Sequence, residues 1–236
     1  MSAAGSKRWA CLPILARRES GVTAAASVPG VPDLALPYFL ATPQTPEPGG
    51  PGVVVIHEGN GISSQLLRFC QRLAAEGYVV VAPDLFFRVG GTESDDPMTL
   101  IRGLDFAQAG RDIQEAARIA REHGANKLGV TGFCMGGSLT YQAAMAGGFD
   151  AAAGFYGAFI ANGMGEPKCP TLLFFGGNDP WIPAADIEKV AAHHADTFVY
   201  PEAGHGFMRD GSEDFAPEAA ADAWDRTLTL FRQQLS

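Results

Sequence analysis

Basic residues are scarce in this 236-residue chain: 17 Lys and Arg stand against 26 Asp and Glu, a formal net charge of −9. That balance argues against a nucleic-acid partner, which needs a basic face for the phosphates. It does not exclude an anionic small molecule, because a few well-placed arginines override a weak global field. Cysteines are also few. Cys11, Cys70, Cys134 and Cys169 are irregularly spaced with no C-x-x-C pair, so neither a zinc site nor a disulfide framework is expected. A reducing, cytoplasmic compartment is the default expectation. No apolar run approaches the roughly 18 residues that span a bilayer, so no membrane partner is expected. His57-Glu58 lacks a second histidine at helical spacing, which removes the zinc-peptidase motif. No metal or cofactor is called for. Charged residues make up 18% and apolar residues 47%, which fits a globular enzyme with a large core and neither a disordered chain nor a fibre.

At the N-terminus, Lys7 and Arg8 precede a short apolar patch, but Pro13 interrupts it and Arg17-Arg18-Glu19 follow where a cleavage region would lie. Residues 1–30 are therefore read as an extension, poorly ordered or forming an edge strand, and 31–236 as one α/β domain. Within it, hydrophobic patterning predicts strands over 34–41, 53–56, 78–82, 127–131, 151–156, 171–175 and 197–200. Helices are predicted over 62–76, 111–123, 135–146, 184–194 and 217–234. Val53 to Ile56 is a continuous apolar run, as expected of a strand buried on both faces. Strand and helix alternate, which requires a mostly parallel central sheet with helices on both faces. The stretch from Val89 to Gly110 has no clear pattern, and long loops at a sheet's edge often cover an active site.

In such folds the chemistry sits past the carboxyl ends of strands. Gly132-Phe133-Cys134-Met135-Gly136-Gly137 there reads as a strand–turn–helix elbow with cysteine at the nucleophile position. A lone cysteine in a Gly-rich turn is usually structural; small residues on both sides, between a strand and a helix, favour a nucleophile. The helix N-terminus favours a thiolate, and the Met135 N–H faces a developing oxyanion, with Gly59 or a neighbour as second donor. Asp179 and His205 follow in the chain order nucleophile, acid, histidine. Asp179, before Pro180, could equally form an Asx turn. His205, between two glycines, suits a mobile base that Asp179 would orient. His123, His193 and His194 are read as surface residues. Glu58 could activate the thiol or pair with Arg88 or Arg209. Arg88 and Arg209 suit a bidentate grip on a carboxylate, although Arg88 could instead pair with Asp84. Tyr156, with Phe86, Phe87, Phe155, Trp181 and Phe207, could wall an apolar pocket or belong to the core.

The ordered set His-Glu-x-x-Gly from His57, Pro-Asp-Leu-x-x-Arg from Pro83, Gly-x-Cys-x-Gly-Gly from Gly132, Gly-x-x-Asp from Gly176 and Gly-His-x-Phe-x-Arg from Gly204 resembles the dienelactone hydrolase (carboxymethylenebutenolidase) family. The resemblance covers the chain from about Leu34 onward. It implies the α/β-hydrolase fold, a Cys134–Asp179–His205 triad, a thiol-activating role for Glu58, and Arg88 and Arg209 as binders of a substrate carboxylate. The chain departs from the better-known members at Gly206, where they carry serine. The expected function is cysteine-dependent hydrolysis of a small carboxylate-bearing ester or lactone. Alternatives are a general esterase or thioesterase, and a non-catalytic or redox-sensing protein that kept the fold. The sequence leaves the oligomeric state open.

Overall fold

The computed structural model describes residues 35–45, 47–90 and 96–236. The extension expected over 1–30, the start of the outer strand at Leu34, and residues 91–95 lie outside them. Seven strands, β1 (Tyr38–Ala41), β2 (Gly52–Ile56), β3 (Val79–Pro83), β4 (Leu128–Phe133), β5 (Ala151–Phe155), β6 (Thr171–Gly176) and β7 (Thr197–Tyr200), form one sheet. Its order is β1-β3-β2-β4-β5-β6-β7. Among the strands of the described residues, only the β1–β3 pairing is antiparallel. This is the mostly parallel α/β-hydrolase architecture, with six α-helices among the described residues: α1 (Ser64–Ala75), α2 (Pro97–Gly103), α3 (Phe106–Glu122), α4 (Met135–Ala146), α5 (Ala184–His193) and α6 (Pro217–Gln234).

The apolar runs form strands because both sheet faces are covered. Val53 and Val55 of β2 pack with Phe69 and Leu73 of α1 and Trp224 and Phe231 of α6. Val54 and Ile56 face the other way, toward Ile113 and Ala116 of α3 and Leu139 of α4. From β2 the chain crosses by α1 to β3 on one side, then by α3 to β4 on the other. Parallel crossovers are right-handed, so a reversal of direction sends the two helices to opposite faces. It also opens a crevice beyond the carboxyl ends of β2 and β4. Glu58 follows β2 and Cys134 follows β4, so the topology brings both to that crevice.

The segment expected to be a patternless cover contains α2 and the start of α3. Asp96 caps α2 by accepting from the Met98 N–H, with Pro97 as its first residue. Asp105 caps α3 by accepting from the Ala107 and Gln108 N–H groups, so α3 begins five residues before the expected Arg111 and runs through Gly110. His194 also differs from expectation. It lies part-buried, with Nε2 hydrogen-bonded to the Thr171 carbonyl. Among the described residues no helix is long and apolar enough to cross a membrane.

Helix α4 is pressed against the sheet at backbone distance. A Cβ on Gly137 would lie 2.2 Å from the carbonyl oxygen of Phe155, and no rotamer change relieves a contact with backbone. Gly137→Ala is therefore expected to destabilise the fold by about 1–3 kcal/mol or more. The change is read as a lower urea midpoint at unchanged m-value.

Candidate active site

The elbow at Cys134 has the backbone that a sharp strand-to-helix reversal demands. Cys134 stands at φ 55° and ψ −119°, one of two described non-glycine residues with positive φ. Its N–H donates to the Phe155 carbonyl at 3.0 Å, tying the turn to β5. A Cβ on Gly132 would lie 2.5 Å from the Gly136 oxygen, and one on Gly136 would lie 2.5 Å from the Ile56 oxygen. The glycines on either side of Cys134 are thus required by close approach. The side chain is half-buried and remains reachable. Met135 opens α4, so its N–H is among the first four that have no partner within the helix.

His205 is buried beside this turn. Its Nδ1 lies 2.8 Å from Oδ2 of Asp179, and the imidazole also interacts electrostatically with Cys134. Burial alone would lower the His205 pKa. The hydrogen bond to Asp179 and the interaction with Cys134, with the charge of both, outweigh it and raise the value to about 9. The alternative roles foreseen for Asp179 coexist, because each oxygen serves one. Oδ1 accepts from the Trp181 and Ile182 N–H groups, closing an Asx turn, while Oδ2 meets the histidine. The turn leaves Oδ2 aimed at the ring.

Glu58 lies only 8% exposed, and each of its oxygens has a donor. The Tyr156 hydroxyl donates to Oε1 at 2.9 Å and Arg209 Nε to Oε2 at 2.8 Å. Burial, then the Glu58 charge, pushes the Tyr156 phenol well above its ordinary value, so it remains a donor. Tyr156 is the other described non-glycine residue with positive φ, at 40°, and its ring lies 4.9 Å from that of His205. Arg209 also donates from Nη1 to Asp214 Oδ2 at 2.9 Å.

Arg88 lies in the segment just after β3. Its guanidinium pairs with buried Asp112 on α3, rather than with Asp84, and stacks over Phe87. Asp84 instead accepts from the Phe86 N–H. Among the aromatics singled out, Phe86, Phe155 and Phe207 are core, whereas Trp181 is 71% exposed. A cleft of about 370 Å³ opens beside His205, lined by Trp181, Glu202, Arg209 and Asp214 among others. Among the described residues no group of three or more His, Cys, Asp or Glu is placed to hold a metal ion.

One contributor had no signal in its own residue type. His57 is fully buried, and its Nε2 accepts from the Leu85 N–H at 3.0 Å. The proton must then sit on Nδ1, which donates to the Glu58 carbonyl at 2.7 Å. Burial lowers its pKa, in keeping with a neutral ring. Because a trans peptide points its C=O and N–H in opposite directions, fixing the Glu58 carbonyl also fixes the Gly59 N–H. Its position directly after a buried strand, before a glutamate, was the available clue.

The dienelactone hydrolase family model matches residues 36–235. A Yersinia pestis protein provisionally named a carboxymethylenebutenolidase is 33% identical over 223 residues, covering 84% of this chain and 84% of that protein. The Pseudomonas putida carboxymethylenebutenolidase is 29% identical over 197 residues, 75% of this chain and 84% of that one. The crystal structure of a protein from Klebsiella pneumoniae subsp. pneumoniae, provisionally named a dienelactone hydrolase, aligns with a TM-score of 0.76 at 32% identity. It covers 84% of this chain and 93% of its own.

Two measurements test the geometry. The His205 imidazole should keep its proton through neutrality and lose it as pH rises through about 9. A raised value means that the associated stability is fully present below about 6.5 and is lost as pH passes the folded value. Asp179→Asn removes one raising interaction, so NMR titration of the ring should show a lower midpoint; a wild-type midpoint at or below 6.5 would refute the arrangement. Arg88→Ala should strip Asp112 of its cation and cost roughly 1–3 kcal/mol of folding free energy, seen in urea unfolding. Unchanged stability would count against a structural pair.

Proposed function

The chain belongs to the dienelactone hydrolase family, and from that premise we propose that it hydrolyses a small carboxylate-bearing ester or lactone with Cys134 as nucleophile, His205 as base and Asp179 as the residue that orients it. The observation that carries this reading is the strained Cys134 turn, with His205 interacting with the cysteine and hydrogen-bonded to Asp179. A structural cysteine needs neither the strain nor the histidine.

In the proposed reaction the thiol proton already rests on His205, as a thiolate–imidazolium pair, and Sγ attacks the carbonyl carbon. The carbonyl π electrons move onto oxygen, and the oxyanion is met by the Met135 N–H at the start of α4 and by the Gly59 N–H, set by the His57 contact. The tetrahedral species collapses, and His205 returns the proton to the departing alkoxide oxygen, leaving a Cys134 thioester. For a lactone this oxygen stays on the same molecule. Water, deprotonated by His205, then attacks the thioester; the carboxylate product leaves and the sulfur is released. Asp179 holds the histidine so that Nε2 serves both steps, and its charge stabilises the imidazolium.

Arg209 is proposed to read the substrate carboxylate, since it borders the cleft beside His205. Its other duty, donating to Glu58, links the two events. A carboxylate bound at the cleft edge of the guanidinium draws on its positive charge and makes Glu58, still held at Oε2, a stronger base in support of thiol activation by His205. Arg88, engaged with Asp112, enters this scheme through the stability of α3 and the loop after β3.

Cys134→Ala should abolish hydrolysis of activated esters and lactones, a loss of at least about a thousandfold in kcat, as for other nucleophile deletions. Cys70→Ala and Cys169→Ala should keep turnover. Rapid quench and mass spectrometry should find the acyl group on the peptide containing Cys134. An acyl group on any other residue, or turnover surviving in Cys134→Ala, would overturn the proposal.

A further inference from the structure

We propose that Asp214 is a specificity-determining residue that occupies, before substrate arrives, the place on Arg209 that a substrate carboxylate takes. This rests on the carboxylate-reading role given to Arg209 above. Two carboxylates already share that guanidinium, Glu58 at Nε and Asp214 at Nη1, both within 2.9 Å. The trio carries a formal charge of −1, and a third carboxylate would make it −2. Either the newcomer is rejected or one partner leaves.

The two partners are not equally held. Glu58 has a side chain only 10% exposed and a second anchor in the Tyr156 hydroxyl. Moving it would leave a buried carboxylate short of donors, which is costly. Asp214 is half exposed, and an ion pair at such a position is weak because water competes for it. It sits in the turn closed by the Phe215 N–H on the Ser212 carbonyl, before α6 and outside any helix or strand, so its side chain can swing into solvent. Asp214 is the displaceable partner, and its exchange for the substrate carboxylate leaves the charge of the trio unchanged.

Gly206 makes this arrangement possible. At φ 80° it carries no Cβ, and one built there would lie 2.8 Å from Cζ and Nη1 of Arg209. The guanidinium is folded back onto that backbone, with one edge on Glu58 and the other beside Asp214 at the cleft. The position at which the sequence departs from the better-known dienelactone hydrolases is therefore the one that lets Arg209 be held by both acids. An anionic substrate must compete with Asp214 for its binding edge, whereas a neutral one need not.

The test uses a matched pair of esters, one with a free carboxylate and one with that group methylated, on wild type, Asp214→Asn, Asp214→Glu and Arg209→Ala. Asp214→Asn should raise the ratio of kcat/KM for acid over methyl ester by about two- to fivefold, the scale of removing an exposed competing pair. The gain should come through a lower KM for the acid. Asp214→Glu retains the competing charge and should stay near the wild-type ratio. If Arg209→Ala collapses the acid preference while Asp214→Asn leaves the ratio unchanged or lowers it, Asp214 is not the competitor and the carboxylate reading stands. Equal loss on both esters in Arg209→Ala would instead remove the carboxylate reading, and this inference with it.

Discussion

The site depends first on a constraint of backbone approach, the contact between the start of α4 and the ends of β2 and β5. Gly136 lies where a Cβ would meet the Ile56 oxygen at 2.5 Å, and Gly137 where one would meet the Phe155 oxygen at 2.2 Å. Only with α4 that close can the chain leave β4 and enter the helix within one residue, which forces Cys134 to φ 55°. That strain is tolerated because the elements around it over-determine the turn. The sulfur is thereby presented at the mouth of a helix, between the ends of strands that supply a carboxylate on one side and a histidine loop on the other.

A second dependence is electrostatic. A carboxylate as buried as Glu58 needs donors on both oxygens, and it draws them from distant parts of the chain. Tyr156 follows β5 and Arg209 lies in the loop before α6, 98 and 151 residues away respectively. Satisfying one buried acid therefore fixes the Tyr156 ring against His205 and brings a guanidinium to the cleft. Asp179 shows the same economy at a smaller scale, one oxygen closing its own turn and the other reaching the histidine. The side chains that shape the pocket are the ones that solve its hydrogen bonding.

Local rules in the sequence account for much of this molecule. Continuous valine runs marked buried strands, and β2 is indeed covered on both faces by separate clusters. Small residues around Cys134 marked the elbow, and the order Cys134, Asp179, His205 marked the set of groups that the fold gathers. These features were legible because each depends on neighbours a few residues apart: alternation, propensity, turn chemistry. The capped starts of α2 and α3 were equally local, in Asp96-Pro97 and Asp105, but Gly110 obscured the helical pattern that runs through it.

By itself, then, the sequence determined the α/β alternation, the strand ends that carry polar and titratable groups, and the identity of those groups. Pairing was decided only in three dimensions. Arg88 could have met Asp84 four residues away, yet the fold set it against Asp112 on α3. Arg209 could have been free, yet it is shared by Glu58 and Asp214. His57 could have been another polar residue of a loop, yet its burial and two ring contacts make it the neutral support of the Glu58–Gly59 peptide. The reason is physical: the sequence states which charges exist, but which of several partners an ion takes depends on distances and burial that arise when remote segments pack.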